Sequence, residues 1–369
     1  MPPVSLLIKP ASSNCNMRCS YCFYHSLAES RPTASYGVMN TDVRELLVQR
    51  ALEYADKTCT FAFQGGEPTL AGLEFYRDFI ELVEKYNTRK VKVHYALQTN
   101  GLAIDDEWAS FLAGRQFLVG LSLDGPKDIH DAMRTDAGGR GTFNRVMNAV
   151  ALLNRHRVDY NILCVVNSYT ARHIGKVYDF FKRNDFRYLQ FIPCLDPLEE
   201  RPGGHEYSLT PERFAFSMKR LFDEWYNDLR NERRISIRYF DNLAGMLLGY
   251  PPESCGMSGR CSAHFVVEAD GSVYPCDFYV FDDWRLGNIQ TSNFTELAQS
   301  GKAADFIGSS LYADPQCREC PWSNICRGGC RRNREPFAEG RPVLNYYCRA
   351  YREFFDYAGE RLFKASRLL

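Results

Sequence analysis

Short apolar, β-branched runs recur through the first part of the chain, at residues 4–8, 58–63, 91–97, 117–123, 160–166 and 188–192. Runs of this length, bounded by Gly, Asn and Asp, predict strands. Between them the apolar positions repeat with helical period, at 43–54, 75–86, 106–112, 143–156, 174–183 and 211–229. Strand followed by helix, in six successive units, predicts an α/β protein with a parallel sheet, barrel-like or open. Six units fall short of the eight that close a (β/α) barrel.

In either arrangement ligands gather at the C-terminal ends of the strands. The loop of residues 15–22 follows the first predicted strand, and Gln64-Gly65-Gly66-Glu67-Pro68 follows the second. Gln98-Thr99-Asn100-Gly101 follows the third, and Ser122-Leu123-Asp124-Gly125 ends the fourth. One such tip is an ordinary turn signal. Its repetition at the same end of successive strands points to a site.

The pattern breaks near Arg234, which divides the chain into an expected core, 1–234, and a second domain, 235–369. Residues 264–274 read as a hairpin turning at Asp270-Gly271. Residues 308–348 have little apolar period and cannot build a large core, so crosslinks of metal type are expected to supply rigidity. Residues 351–368 read as an amphipathic helix.

Composition narrows the classes. Lys+Arg and Asp+Glu number 45 each, leaving no net field to hold nucleic acid. At 45% hydrophobic residues, disorder is excluded as the main description. Nowhere do about 18 apolar residues run without charge, so no membrane-spanning helix is expected. The stretch from Met1 to Pro10 lacks an export signal, and the expectation is a cytoplasmic protein.

Fourteen cysteines in tight groups favour metal or cluster ligation over disulfides. Cys15, Cys19 and Cys22 bring only three thiols to one loop. A [4Fe–4S] cluster normally takes four, so three recruit a distant fourth or leave one iron open. The alternative is zinc completed by His25. Cys255, Cys261, Cys276, Cys317, Cys320, Cys326, Cys330 and Cys348 divide into two four-ligand sites, for which spacing alone fits zinc and iron–sulfur equally. Cys59 and Cys164 lie in strand-like runs as buried hydrophobes, and with Cys194 they receive no chemistry.

Cys15-x3-Cys19-x2-Cys22, with Tyr21 inside it, and Gly65-Gly66-Glu67-Pro68 resemble the motifs of radical S-adenosylmethionine (radical SAM) enzymes. The eight later cysteines resemble the SPASM auxiliary-cluster extension. The resemblance implies a partial (β/α)6 barrel, a C-terminal cysteine-rich SPASM domain and a terminal helix. It also implies three [4Fe–4S] clusters and S-adenosylmethionine. The open iron of the trio would bind the cofactor's amino and carboxylate groups, and reductive cleavage would yield a 5′-deoxyadenosyl radical. By the same resemblance Gly66 meets the methionyl amine, Ser122 and Arg134 hold the ribose and carboxylate, Tyr21 and Leu195 meet the adenine through backbone groups, and Gln98 approaches the ribose. Cys255, Cys261, Cys276 and Cys330 would hold one auxiliary cluster, and Cys317, Cys320, Cys326 and Cys348 the other. Spacing alone also allows Cys330 with Cys317, Cys320 and Cys326.

Within that class, the Tyr274-Pro275-Cys276-Asp277 sequence and the early first motif resemble the anaerobic sulfatase-maturating enzymes. These oxidise Cys or Ser in a sulfatase Cys/Ser-x-Pro-x-Arg segment to Cα-formylglycine. The resemblance implies Asp277 as general base, a sulfatase polypeptide as substrate, and an electron donor such as a flavodoxin or ferredoxin. Tyr24 and Gln64, beside the radical-generating loops, are expected to steer the target side chain. The arginine-rich run 327–334 is expected to neutralise cluster charge or form a solvated face. The rivals are another SPASM-type maturase, for example one forming thioether crosslinks, and a zinc-stabilised interaction module. Maturases of the first kind often carry a leader-binding domain, for which the fourteen residues before Cys15 leave no room.

Overall fold

The computed structural model describes residues 4–198, 200–338 and 341–368. Residues 1–3 of the expected unexported N-terminus lie outside the described residues.

The six apolar runs form β1 (Val4–Ile8), β2 (Thr58–Phe63), β3 (Lys92–Thr99), β4 (Leu118–Ser122), β5 (Tyr160–Val166) and β6 (Tyr188–Pro193). Each pairs in parallel with the next, as in Ile8 with Phe63, Phe63 with Leu97 and Thr99 with Leu121. The order never reverses, so the sheet lacks the switch point of a doubly wound fold. It is the strand order of a (β/α) barrel left open after six strands.

Both edges are extended. β7 (Ser236–Ile237) adds in parallel to β6, and β8 (Val266–Val267) in parallel to β1. β9 (Ser272–Tyr274) and β10 (Gly287–Asn288) then follow antiparallel, giving ten strands in one sheet. The Asp270-Gly271 hairpin is the β8–β9 connection. Gly271 takes φ +84° there and donates its N–H to the Glu268 carbonyl at 2.9 Å.

Helices of the expected series flank the strands, and polar caps set their starts. Asn40, Asp105 and Thr210 accept from the N–H groups of Val43, Trp108 and Arg213, heading helices Thr41–Tyr54, Asp106–Gly114 and Pro211–Arg230. Edge-to-face aromatic pairs, Phe61 with Phe79 at 5.0 Å and Phe63 with Tyr76 at 4.9 Å, fill the contact between β2 and helix Leu73–Tyr86. Each such pair adds about 0.5–1.5 kcal/mol beyond its area burial. Short helices that apolar period does not reveal also occur. Phe23–Glu29 begins directly after Cys22, and Lys127–Met133 ends at Arg134.

The C-terminal part combines buried apolar residues such as Phe294, Phe306 and Phe354 with buried arginines. The Arg331 guanidinium lies 4.6–4.9 Å from the ring centroids of Tyr279, Trp284, Phe306 and Phe337. Arg331, Arg332 and Arg334 are all buried, so this part of the arginine run is internal, not a solvated face. The last helix, Cys348–Ala365, begins earlier than its apolar period suggests, and Cys348 is its first residue. It packs on Pro211–Arg230 through Phe222 with Phe354 at 5.8 Å and Arg361 with Asp223 at 2.7 Å. Among the described residues no helix is long and apolar enough to cross a membrane.

Candidate active site

A cavity of about 390 Å³ opens at the C-terminal ends of the strands. Cys15, Cys19 and Cys22 line it, with Tyr21 and Tyr24 from the same loop and helix start. Gln64 and Gly66 reach it from the β2 tip, Gln98 from β3, Ser122 from β4, Arg134 from the end of its short helix, and Leu195 after β6. The far wall includes Cys330 and Arg332 from the cysteine-rich part.

Close backbone approach shapes the β2 tip. Gly66 has φ +54°, and a Cβ there would stand 2.3 Å from the Asn14 carbonyl oxygen. Only glycine fits, and the approach lets the Glu67 N–H donate to that same carbonyl at 2.7 Å. The buried Glu67 carboxylate then accepts from Thr69 Oγ1 at 2.6 Å, Thr99 Oγ1 at 2.7 Å and the Asn100 N–H at 2.8 Å. Burial pushes its pKa up despite these donors. The result is a clamp joining the tips of β2 and β3 beneath the thiol loop. Cys15 Sγ accepts from the Met17 N–H at 3.4 Å and Asn100 Nδ2 at 3.9 Å.

A second buried carboxylate, Asp124, organises the β4 side. Arg134 donates to it through Nε at 2.8 Å and Nη2 at 3.2 Å, the Val165 N–H donates at 2.9 Å, and the Tyr21 hydroxyl also donates. Arg134 is thus held by a two-nitrogen fork while facing the cavity. Its guanidinium lies 5.5 Å from the Tyr21 ring centroid. His130 closes the network, with Nδ1 beside the Asp124 N–H at 3.3 Å and Nε2 beside Thr142 Oγ1 at 3.0 Å. Burial pushes the His130 pKa down to about 4, so the ring is neutral at pH 7.

Asp277 stands behind the lining residues Tyr24, Gln64 and Phe278 and is not itself part of the cavity lining. Gln64 Nε2 donates to its Oδ2 at 2.8 Å and to the Tyr24 hydroxyl oxygen at 2.7 Å, and the Tyr24 hydroxyl donates to the same Oδ2. Asp277 Oδ1 is buried without a hydrogen-bond partner. Burial raises the Asp277 pKa, opposed by the nearby Lys9 charge and by the Tyr24 and Gln64 hydrogen bonds. Lys9, buried at the end of β1, sets its Nζ 4.5 Å from the Tyr24 ring centroid.

The thiols fall into three neighbourhoods by their mutual electrostatic effects. Cys15, Cys19 and Cys22 act on one another. Cys330 acts with Cys255, Cys261 and Cys276, and Cys326 with Cys317, Cys320 and Cys348. Burial pushes Cys15 up to about 11, and Cys19 and Cys330 up to about 12. Such thiols stay protonated and are poor nucleophiles, whereas a metal deprotonates its thiol ligands. His25 does not complete the trio. Its side chain is 54% exposed and pairs with Glu29 at 3.3 Å. One set of three cysteines and two sets of four match the ligand numbers of iron–sulfur clusters.

Comparison with known proteins decides the family. A profile of the radical SAM superfamily matches residues 10–181, and one of an iron–sulfur cluster-binding domain, SPASM, matches residues 255–321. The cysteine-type anaerobic sulfatase-maturating enzyme of Clostridium perfringens (strain 13 / Type A) is 53% identical, over 99% of each chain. This chain belongs to the anaerobic sulfatase-maturating enzymes. The serine-type anaerobic sulfatase-maturating enzyme of Bacteroides thetaiotaomicron is 32% identical, over 96% of this chain and 89% of that one. A solved structure of native anSMEcpe with bound AdoMet and Cp18Cys peptide superposes with TM-score 0.95 at 52% identity, covering 99% of both chains. Streptococcus suis SuiB bound to precursor peptide SuiA, at 17% identity and TM-score 0.65 over 94% of this chain and 76% of that one, shares the fold alone. This maturase is therefore a radical SAM enzyme using iron–sulfur clusters and S-adenosylmethionine.

Sequence reasoning quoted Glu67, Asn100 and Asp124 within strand-end tips but gave them no role, and it missed Lys9 and His130. Asp124 was two residues from the chosen Ser122, and its position in a strand-end tip was the available signal. Lys9 carried none beyond following an apolar run.

Proposed function

We propose that this enzyme oxidises a cysteine side chain in a sulfatase Cys-x-Pro-x-Arg segment to Cα-formylglycine. The observation that carries the reading is Asp277: a half-buried carboxylate whose Oδ1 is buried and unpartnered, steadied through Oδ2 by the cavity-lining Tyr24 and Gln64. The preference for Cys over Ser is supported by the greater identity to cysteine-type relatives, 53% against 32%.

Cys15, Cys19 and Cys22 would hold the cluster that binds S-adenosylmethionine, and when bound this pair supplies a radical able to remove hydrogen from an unactivated side chain. Gly66 would offer backbone to the cofactor's amino group. Arg134, steadied by Asp124, would meet its carboxylate, Ser122 and Gln98 would serve the ribose, and Tyr21 and Leu195 the adenine. Once a Cβ hydrogen is removed, the side-chain radical has still to lose one proton and one electron; the thioaldehyde so formed takes up water and releases hydrogen sulfide to give the aldehyde. Asp277 Oδ1 accepts the proton, and burial favours its protonated form once the transfer has occurred. Tyr24 and Gln64 keep Oδ2 engaged, so the free Oδ1 receives the proton.

Cys255, Cys261, Cys276 and Cys330 would hold one auxiliary cluster, and Cys317, Cys320, Cys326 and Cys348 a second. With the trio this makes three clusters, divided between a radical-forming unit, 1–234, and a cluster unit, 235–369. A flavodoxin- or ferredoxin-type donor supplies electrons, and oxygen-labile clusters suit a cytoplasmic setting.

The test is anaerobic incubation of reduced, cluster-replete enzyme with S-adenosylmethionine and sulfatase peptides carrying Cys or Ser, read by mass spectrometry. The expected product is an aldehyde on the Cys peptide, with about twelve irons per chain. Cofactor cleavage without a peptide aldehyde, or a crosslinked peptide, would overturn the reading.

A further inference from the structure

Three guanidiniums of the C-terminal arginine run are buried, and they are not equally compensated. A buried charge is costly unless an opposite charge meets it. Arg331 is met by Glu335 at 3.5 Å and by its cage of ring faces. Arg332 and Arg334 are 7% and 5% exposed, and among the described residues neither has a carboxylate at ion-pair distance. They donate to carbonyl oxygens instead, Arg332 to Asp196 and Arg334 to Ser310, Tyr312 and Val343.

The carboxylates facing Arg332, Asp196 and Glu335, act at longer range, as does Asp314 on Arg334. The Asp196 carboxylate is already engaged by the Gly203 N–H at 2.7 Å and the Ser208 hydroxyl at 2.6 Å. Burial keeps the Tyr279 phenol beside Arg332 protonated, which leaves sulfurs as the groups nearby able to carry negative charge: Cys330 beside Arg332, and Cys261, Cys317 and Cys330 beside Arg334. A guanidinium does not shed its proton in proteins. The positive charge therefore stays, and sulfur ligands of an anionic cluster are what can answer it.

We infer that Arg332 and Arg334 are the fixed counter-charges of the two C-terminal cluster sites, and that Arg332 makes the site of Cys255, Cys261, Cys276 and Cys330 a better electron acceptor. This rests on the proposed function. In its final oxidation the carbon-centred substrate radical loses one electron, an oxidised [4Fe–4S]2+ cluster gains it to become [4Fe–4S]1+, and the proton goes to Asp277. Fixed positive charge favours the reduced form, which carries one more negative charge. Arg332 borders both the cavity and Cys330, so its charge acts where that electron arrives.

The experiment is an anaerobic redox titration followed by electron paramagnetic resonance on the loaded holoenzyme, comparing wild type with Arg332→Gln and Arg332→Lys. Adding S-adenosylmethionine marks the cluster of the N-terminal trio. In Arg332→Gln the reduction equilibrium of one auxiliary cluster is expected to fall at least about ten-fold, the effect of a unit charge about 12 Å from the added electron at an effective dielectric of about 20, equivalent to about 59 mV. The trio's cluster and the Arg332→Lys variant should hold their wild-type potentials. Should Arg332→Gln fail to load iron while Arg332→Lys loads with wild-type potential, charge is again what the site requires. Unshifted auxiliary potentials in a fully loaded Arg332→Gln overturn the inference, as does a Lys variant that behaves like Gln. Wild type lacking any auxiliary signal would overturn the proposed function and this inference with it.

Discussion

The N-terminal and C-terminal cysteine-bearing regions of this enzyme are built on different plans. The N-terminal trio sits on a regular frame of strand tips clamped by Glu67, backbone approach at Gly66, and Arg134 held by Asp124. Each polar support there finds its hydrogen-bond partners within the protein. Of the C-terminal eight, most sit on short turns and single helical turns, beside buried arginines whose charge the protein itself does not fully answer. The contrast separates two jobs. Where a ligand must come and go, the frame is complete without it; where a group is permanent, the frame is finished by that group.

The first way to break this contrast is to remove one ligand from each side. Cys19→Ala should reduce S-adenosylmethionine cleavage to background, whereas Cys348→Ala should leave cleavage intact while aldehyde output falls, both read as 5′-deoxyadenosine and peptide product. Iron loss accompanied by partial unfolding is expected only for the C-terminal variant. Asp277→Asn comes next: aldehyde formation should drop about 10²–10⁴-fold, the scale of general-base catalysis, with cofactor cleavage continuing. Full aldehyde output from that variant would remove Asp277 from the mechanism.

Smaller effects sharpen the picture of the pre-built frame. Gly66→Ala must relieve a 2.3 Å contact at a positive φ, so cofactor binding should weaken by about 1–3 kcal/mol, the cost of backbone strain, measured by equilibrium titration. His130 supplies the mildest test. Its folded pKa, about 4, lies below the unfolded 6.5, so its contribution is complete above pH 6.5 and erodes as pH falls towards 4. Between pH 6.5 and 5 that erosion is about 2 kcal/mol, and His130→Gln should abolish it in denaturant titrations at the two pH values.

The frame was legible in the sequence and its electrostatics were not. Apolar runs located β1 to β6 because strands of a covered parallel sheet must be nearly continuous in hydrophobicity. The hairpin at Asp270-Gly271 followed from turn chemistry. Helices such as Phe23–Glu29 and Lys127–Met133 escaped because one or two turns carry too few positions to show a period. Cysteine spacing located the thiol groups but left Cys330 ambiguous, and the fold sets it beside Cys255, Cys261 and Cys276. Ser122 and Gln64 announced themselves as strand-end polar groups. Asp277, Arg134 and Leu195 had roles only through family resemblance, since a single residue after a cysteine or a short helix has no pattern of its own. The arginine run was visible as charge, yet its burial depends on tertiary packing against Trp284, Phe306 and Tyr279.

Strand β8 carries a further consequence. Leu7 and Lys9 donate their N–H groups to the carbonyls of Phe265 and Val267, at 3.2 and 2.9 Å, so the flank of β1 is covered by residues more than 250 positions away. A fragment ending near residue 234 would bare that flank as a ready template for other chains and would be expected to clump. The front half of the enzyme is thus not a transplantable engine: swapping tailpieces to change what it acts upon must preserve this seam.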